Sequence, residues 1–328
     1  MPRKSMNSLD IAVVVSELNR LVKEAFVDNI YHVNESTLLI KLRREGSSNQ
    51  LLVEAGRRIH LTWYVVKVPD RPSSFCMSLR KWLRNGRLAE VSQPESERIV
   101  VLDVSTWAGV CRLIVELFGK GNIVLVDAEG KIRNALHKRR MRDRDVVAGE
   151  EFRMPPPSGA NLWRLTPDDL AELTKRRVSV VRALGSSLGV TSPYSDEALA
   201  SAGMDPLTEA SALTKEQLQA LQASLQRLSE QATSAEPRPL LIVDGEGKAQ
   251  DVIPFAMSTY SSLPAKSFPT FNQALDEYFT ELSSAGARED RRGELEQQLV
   301  EHERIVQQQL ERLRELQRVA DEESRMAD

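Results

Sequence analysis

The sequence predicts an α+β fold built around a mostly antiparallel sheet. After one amphipathic helix, short β-branched and aliphatic stretches follow one another. A helix-rich interlude then runs from Thr166 to Gln231. Beyond it, LLIVDGEGK (240–248) repeats IVLVDAEGK (123–131) almost letter for letter, so β structure resumes. Strand signals that succeed one another argue for hairpins rather than parallel crossovers.

The elements follow in order. Residues 8–25 place Leu9, Val13 and Leu21 at helical spacing behind Ser8 as a cap, with Asp10 in the first turn. Strands are expected at Thr37–Leu42, Leu51–Glu54 and Ile59–Val68. A second helix, 74–86, puts Phe75, Leu79 and Trp82 on one side and Arg80, Lys81 and Arg84 on the other, and stops at Gly86. Strands resume at Arg98–Val104, Val110–Phe118 and Asn122–Val126. The IVLVDAEGK segment ends a strand in a tight turn, and its echo reads as a recurrent hairpin solution. PPPSG (155–159) is a stiff linker. In the interlude, Leu184-Gly185, Leu188-Gly189 and Gly203 have the spacing of a helix-hairpin-helix module, which can offer unpaired amides at a helix start to a phosphate. From Gly286 the chain is charged and amidic. With Leu299 at a, the a positions are Leu299, Val306, Leu313 and Ala320, while three of the d positions are polar. That imperfect seam describes a long helix in need of a partner, and it allows a dimer. The expected organisation is therefore 1–157, a β-rich domain; 158–238, a helical module; 239–287, a return segment completing the first domain; and 288–328, the first arm of a coiled coil.

Composition narrows the function. With 41% apolar and 28% charged residues the chain reads as an ordinary globular protein. No run approaches the ~20 apolar residues of a membrane span, so no membrane partner is expected. The net charge of −3 conceals an asymmetry. Residues 1–150 hold 25 Lys and Arg against 18 Asp and Glu (+7), whereas 151–328 hold 19 against 29 (−10). A basic front of this kind points to nucleic acid. Cys76 and Cys111 stand alone in apolar runs, which favours a reducing, cytoplasmic compartment. The four histidines are scattered, so no metal site is expected. No phosphate-binding glycine loop, dinucleotide fingerprint, nucleophile elbow or EF-hand is present; the expectation is a binding protein with no catalytic residues and no cofactor. The densest basic feature is KIRNALHKRRMRDR (131–144), with seven Lys and Arg against one carboxylate. Within it, Lys138, Arg139, Arg140 and Arg142 join Arg80, Lys81 and Arg84 as candidates for phosphate contact.

Six segments then carry a resemblance: NSLDIAVVVSELN (7–19), FCMSLRKWLRNG (75–86), ERIVVL (97–102), VELFGKGNIVLVD (115–127), RDRDVVAGEEFRMPP (142–156) and FPTFNQALDEYF (268–279). In order and spacing they resemble the RqcH/NEMF family, also called NFACT or fibronectin-binding-protein-A-like, in the compact style of its archaeal members. The resemblance implies an N-terminal domain like the N-terminal lobe of formamidopyrimidine-DNA glycosylases, a helix-hairpin-helix module and a long coiled coil, of which this chain would be the front part, cut within its arm. It also implies a ribosome quality control factor that binds a stalled large ribosomal subunit carrying a peptidyl-tRNA nascent chain. Such a factor recruits aminoacyl-tRNA for template-free C-terminal tailing, chiefly with alanine, and leaves peptidyl transfer to the ribosome.

Carried over residue by residue, the family's functional Asp falls on Asp10 and its Asp-Arg pair on Glu97-Arg98, where the acid is one methylene longer. Glu116, Gly119, Lys120 and Asn122 match its E-x-x-G-x-x-N stretch, where glycine would permit close backbone approach. These seven residues are the expected tRNA contacts. Physically, Arg98 can hold a phosphate or stack on a base while the carboxylates orient it. A glycosylase acting on DNA is the alternative, but those enzymes use an N-terminal Pro-Glu, and this chain begins Met1-Pro2-Arg3. An adhesin reading has no export signal to stand on.

Overall fold

The structure is a computed structural model that describes residues 2–44, 46–234, 236–284, 304 and 307–309. The chain divides into two compact units, 1–278 and 279–328. Every described residue of the second is helical; the coiled-coil seam expected over 288–328, and any dimer through it, otherwise lies outside the described residues.

The first unit opens with helix α1 (Ser8–Val22), whose cap is Asn7, not Ser8. Asn7 and Asp10 form a capping box: each side chain takes the other's backbone N–H, at 3.2 and 2.8 Å. Nine of the 15 helical residues are buried, among them Leu9, Ile11, Val14 and Leu18. Full burial of such a side chain is worth about 1.5–3 kcal/mol.

Strands β1 (Phe26–Asn34), β2 (Thr37–Arg44), β3 (Ser47–Glu54) and β4 (Arg58–Leu61) precede helix α2 (Ser74–Leu83), and β5 (Arg87–Ser92), β6 (Ile99–Thr106), β7 (Gly109–Glu116), β8 (Asn122–Val126) and β9 (Ile132–Ala135) follow it. All nine form one sheet in the order β4-β3-β2-β1-β5-β6-β7-β8-β9, with antiparallel pairing throughout. A single register pair, Phe26 with Arg87, joins the halves at β1–β5. The β3–β4 turn meets the β7–β8 turn, where Gly56 N donates to Glu116 O at 2.9 Å. Helix α2 packs on β1, β6 and β9. One face of β6–β9 is covered by Val146, Phe118 and Phe152, and all five residues of β8 are buried. Both faces are covered, so NIVLV shows no alternation.

β1 and β5 had no counterpart among the expected strands, and Ile59–Val68 proves shorter than expected. β4 ends at Leu61 because helix α7 (271–278 within this unit) takes its next backbone donors: Leu61 N–H goes to Asn272 Oδ1 and Trp63 N–H to Asp276 Oδ2, both at 2.8 Å. A small β10–β11 hairpin (Arg139–Arg140 with Asp145–Val146) completes the basic run.

The helical module contains α3 (Pro167–Ala171), α4 (Val180–Leu188), α5 (Tyr194–Ser201) and α6 (Lys215–Thr233). Gly189 closes α4 at φ +65°. At the start of α5 the Tyr194 and Ser195 amides both donate to Thr191 O. After the module, β12 (Leu240–Val243), β13 (Ala249–Ile253) and β14 (Ala265–Ser267) form a second sheet. The two echoing segments fold alike. Asp127 Oδ1 accepts from Glu129 N and Lys131 N at 3.0 and 2.9 Å, Asp244 Oδ1 from Glu246 N and Lys248 N at the same distances, and Gly130 and Gly247 both sit at φ +81°. Glu197 of α5 stitches the module to the return segment by accepting from Ser258 Oγ and from Thr259 N and Oγ1.

His60 on β4 is fully buried, and its Nδ1 lies 2.9 Å from Leu61 O. Burial first, and the Arg58 charge second, push its pKa down to about 3. Because the folded value lies below the unfolded one, near 6.5, this group's stability is full at neutral pH and lost as pH falls through that window. Between pH 6.5 and 5 the loss is about 2 kcal/mol. Urea midpoints at the two pH values are expected to converge for His60→Gln; an equal fall in wild type and variant would place the acid lability elsewhere.

Candidate nucleic-acid interface

Asp10 is the centre of a buried knot. Its carboxylate is fully enclosed and accepts the Asn7 amide and the Tyr194 hydroxyl, each at 2.8 Å. It also pairs with the Arg3 guanidinium. Arg3 in turn reaches Asp251 Oδ1 through Nε at 3.1 Å and donates to Val252 O, while Tyr260 donates to Asp251 Oδ2 at 2.6 Å. Tyr278 donates to Arg3 O at 2.8 Å. The knot thereby ties α1, α5, β13 and α7 to the N-terminal segment. Burial, the largest influence, pushes the Asp10 carboxyl up from its ordinary range, while Arg3, Asn7 and Tyr194 pull it back. Burial alone would lower the Arg3 pKa, but Asp10 and Asp251 carry it above its ordinary value. With no exposed surface, Asp10 acts through the groups it holds, so direct contact with RNA is not open to it.

Glu97 and Arg98 do not pair with each other among the described residues. Glu97 Oε1 accepts Ser158 N at 2.8 Å, and both its oxygens accept Ser158 Oγ, so this carboxylate anchors the end of the PPPSG linker. Arg98, at the foot of β6, donates from Nη2 to Ser5 Oγ at 3.2 Å. Burial lowers its pKa, opposed by the Asp10 charge and assisted by Arg3. Its Nε is buried with no hydrogen-bond partner. The side chain as a whole is half-open, and a guanidinium so placed is suited to an anionic acceptor at its exposed end.

The E-x-x-G-x-x-N stretch lies beside Arg98, since Leu117 N donates to Arg98 O at 2.8 Å. Glu116 is buried and ion-paired with Arg144 at 2.7 Å. Asn122 is buried and bridges His137, donating to its carbonyl and accepting its amide, both at 2.9 Å. Close backbone approach occurs not at Gly119 but at Gly121. A Cβ on Gly119 would meet nothing within 4 Å, whereas one on Gly121 would lie 1.9 Å from Gly56 N. Gly119 thus serves only the turn's left-handed backbone, at φ +56°, and leaves open space above it. Lys120 is exposed at the tip, close enough to His137, with Arg139, to lower that imidazole's pKa after burial has done so.

The N-terminal segment, the β3–β4 turn, the foot of β6 and the β7–β8 turn therefore converge. Arg57 Nε donates to Lys4 O at 2.8 Å and Met6 N to Arg57 O at 2.9 Å. Lys4 and Lys120 are exposed on this edge. In the basic run, Arg133 and Arg144 are neutralised by Asp127 and Glu116, and Lys131 lies 3.9 Å from Glu129. Lys138, Arg139, Arg140 and Arg142 have no ion pair among the described residues. On α2, Arg80 donates to Ile30 O at 2.7 Å and lies over the Tyr31 ring, and Lys81 is exposed; Arg84, just past the helix end, donates to Asp28 O at 3.1 Å.

Sequence reasoning missed Arg3, Tyr194, Asp251, Gly56 and Gly121. Only Gly121 carried a local signal, as the second glycine of GKG; the others meet across long stretches of chain.

The site is thus a set of converging turns on an α+β fold built around a nine-stranded antiparallel sheet, presenting exposed lysines beside a half-buried arginine. The particular family follows from comparison: the profile described as NFACT N-terminal and middle domains matches residues 7–327, and the chain belongs to that family. It is similar to the archaeal Rqc2 homolog aRqcH of Methanocaldococcus jannaschii, 27% identical over 326 residues that cover 95% of this chain and 48% of the relative. It is also similar to the ribosome quality control complex subunit NEMF of Mus musculus, 28% identical over 305 residues, covering 85% of this chain and 28% of the relative. The chain spans about half the length of the archaeal relative. Among solved structures, the fibrinogen binding protein from Staphylococcus aureus shares the fold, with a TM-score of 0.66 at 19% identity over 83% of this chain and 98% of that one. The N-terminal part of the fibronectin/fibrinogen-binding protein from Streptococcus suis does so with a TM-score of 0.63 at 23% identity over 84% of this chain and 100% of that one. No helix among the described residues is long and apolar enough to cross a membrane.

Proposed function

We propose that this chain is the RNA-handling front part of a ribosome quality control factor. On a stalled large ribosomal subunit carrying peptidyl-tRNA, its converging turns bind aminoacyl-tRNA and supply it for C-terminal tailing of the alanine type. The observation that carries the reading is the half-open Arg98 guanidinium at the foot of β6, on the edge that also carries exposed Lys4 and Lys120. A tRNA phosphate placed there gains a charge-assisted hydrogen bond and counterion release. Asp10 and Glu97 are positioning residues in this scheme: Asp10 supports the Arg98 charge, and Glu97 fixes the linker beneath it. The names of the relatives, a ribosome quality control complex subunit in mouse and an Rqc2 homolog in an archaeon, support the setting.

The test is tRNA affinity across a salt series. Wild type is expected to show a steep negative slope of log affinity against log salt. Arg98→Ala with Lys120→Ala should weaken binding roughly tenfold or more and flatten the slope by about 1 for each phosphate that is no longer neutralised. Affinity that is absent, or untouched by the double substitution in a protein that still melts cooperatively, overturns the proposal. The DNA glycosylase alternative lacks its acid, since the side chain after Pro2 is Arg3, already engaged by Asp10 and Asp251.

A further inference from the structure

We propose that residues 65–68 are an open strand edge that pairs with an extended segment of a partner protein, one Lys or Arg of which enters the cavity beside Trp63 and Tyr64. The inference does not depend on the RNA-binding reading above. β4 is the end strand of the nine-stranded sheet. Once Leu61 and Trp63 have given their amides to α7, the chain continues from Val65 to Pro69 with no turn or bend. Exposure alternates along it: Val65 is 99% exposed and Lys67 exposed, whereas Val66 and Val68 are half-buried. A period of two is that of a strand, and valine, which suits one, fills every position here but Lys67. Yet among the described residues no backbone N–H or C=O of residues 65–68 has a hydrogen-bond partner.

Hydrogen bonding selects a polypeptide. Such an edge alternates donors with acceptors, and a second extended backbone offers both in register, whereas a phosphodiester offers acceptors alone. A second copy of this chain would bring its own Lys67 to the shared edge, an approach of like charges that edge lysines serve to prevent. The occupant is therefore a strand from a different protein.

The cavity adds a charge requirement. Its volume is about 300 Å³, and it is lined chiefly by Trp63, Tyr64, Phe268 and Pro269 together with the acids Asp276 and Glu277. Asp276 holds the Trp63 amide, and Glu277 accepts the Tyr64 hydroxyl but has no ion pair among the described residues. No Lys or Arg lines the cavity, and Arg58, whose charge reaches Asp276, is spent on Glu54 at 2.7 Å. Aromatic walls beside an uncompensated carboxylate suit a Lys or Arg whose stem lies on the rings while its charge meets Glu277. Nucleic acid and anionic lipid meet like charge there.

The experiment is anisotropy with the full chain and short labelled peptides, taken from a random displayed library first depleted on the Val66→Pro, Glu277→Gln double variant. Enriched peptides are expected to carry one Lys or Arg among β-branched residues. Methylating alternate backbone nitrogens of such a peptide should weaken its binding roughly tenfold or more, and replacing its basic residue by neutral norleucine should weaken it about tenfold. Both changes leave the protein untouched, so neither acts through its folding. Glu277→Gln, which keeps an acceptor for Tyr64, should reproduce the second loss. No enrichment from the depleted library, or binding indifferent to either peptide change, overturns the proposal. So does displacement of the peptide by an oligouridylate, which would make the edge a nucleic-acid surface. Concentration-dependent sedimentation of the chain alone that Val66→Pro abolishes would make the occupant a second copy and overturn it as well.

Discussion

Gly121→Ala is expected to cost this fold more than the same change at any other described glycine. The added Cβ would lie 1.9 Å from Gly56 N, 2.3 Å from Ala55 C and 2.6 Å from Gly56 Cα, all backbone atoms, so no side chain can swing aside. Gly121 also sits at φ +66°, where a side chain is strained whatever the space. The β3–β4 and β7–β8 turns must part, and the Gly56 N–H bond to Glu116 O parts with them. A loss above about 4 kcal/mol, or a failure to fold, is the expected outcome. Gly119→Ala is the control: its φ is also positive, but it has open space, and its cost should stay near 1–2 kcal/mol of backbone strain. Urea midpoints of the two variants measured side by side decide the matter. Equal losses would mean that the turns slide apart easily and that their convergence does not fix Lys120 relative to Arg98.

How much of this was legible in the sequence depended on how local each cause is. Helix α1 was plain from its spacing, and its true cap was readable too, since Asn7-x-x-Asp10 makes a capping box and Ser8-x-x-Ile11 does not. The DAEGK and DGEGK turns were equally local, each Asp satisfying its own loop. β1 escaped notice because FVDNIYHVN mixes polar residues into a strand whose carbonyls at Ile30 and Asp28 are taken by Arg80 of α2 and by Arg84 just past its end. Ile59–Val68 looked like one strand because its apolar run continues; it stops because Asn272 and Asp276, more than 200 residues away, capture its amides. Of the site, the basic residues and the Glu116–Asn122 turn were legible as types. Which of them keep charge unspent was not, because Asp127 and Glu116 neutralise Arg133 and Arg144 through the fold.

The same non-locality explains the division of labour at the site. The carboxylates that match the family pattern are turned inward: Asp10 to Arg3 and Tyr194, Glu97 to Ser158, Glu116 to Arg144. The cations at the rim are turned outward. A surface built this way engages its acids within the fold, where they hold the turns in register, and leaves its cations at the rim.

Arg3→Met tests that arrangement at its centre. Removing the guanidinium leaves Asp10 and Asp251 without their shared counter-charge in a site where Asp10 has no access to water. Breaking a buried pair by deleting one partner costs about 3–5 kcal/mol, and that loss is expected here at neutral pH. Tyr194→Phe removes only a hydrogen bond to the same carboxylate and should cost about 1.5–3 kcal/mol. The pH dependence has a definite sign. Burial already raises the Asp10 pKa in the folded state, and losing Arg3, which lowers it, raises it further. A carboxyl with a raised folded pKa binds its proton more readily folded than unfolded, so its penalty grows as pH rises above the ordinary carboxylate range and shrinks as pH falls toward it. The gap between wild type and Arg3→Met should therefore narrow from pH 7 toward pH 4, and because His60 titrates alike in both proteins its contribution cancels from the difference. Asp10→Asn introduced on top of Arg3→Met should restore part of the loss, a coupling that a double-mutant cycle reads directly. A gap that is small at pH 7, or constant across the range, would show that the knot is held by packing of its tyrosines and not by the charge on Arg3.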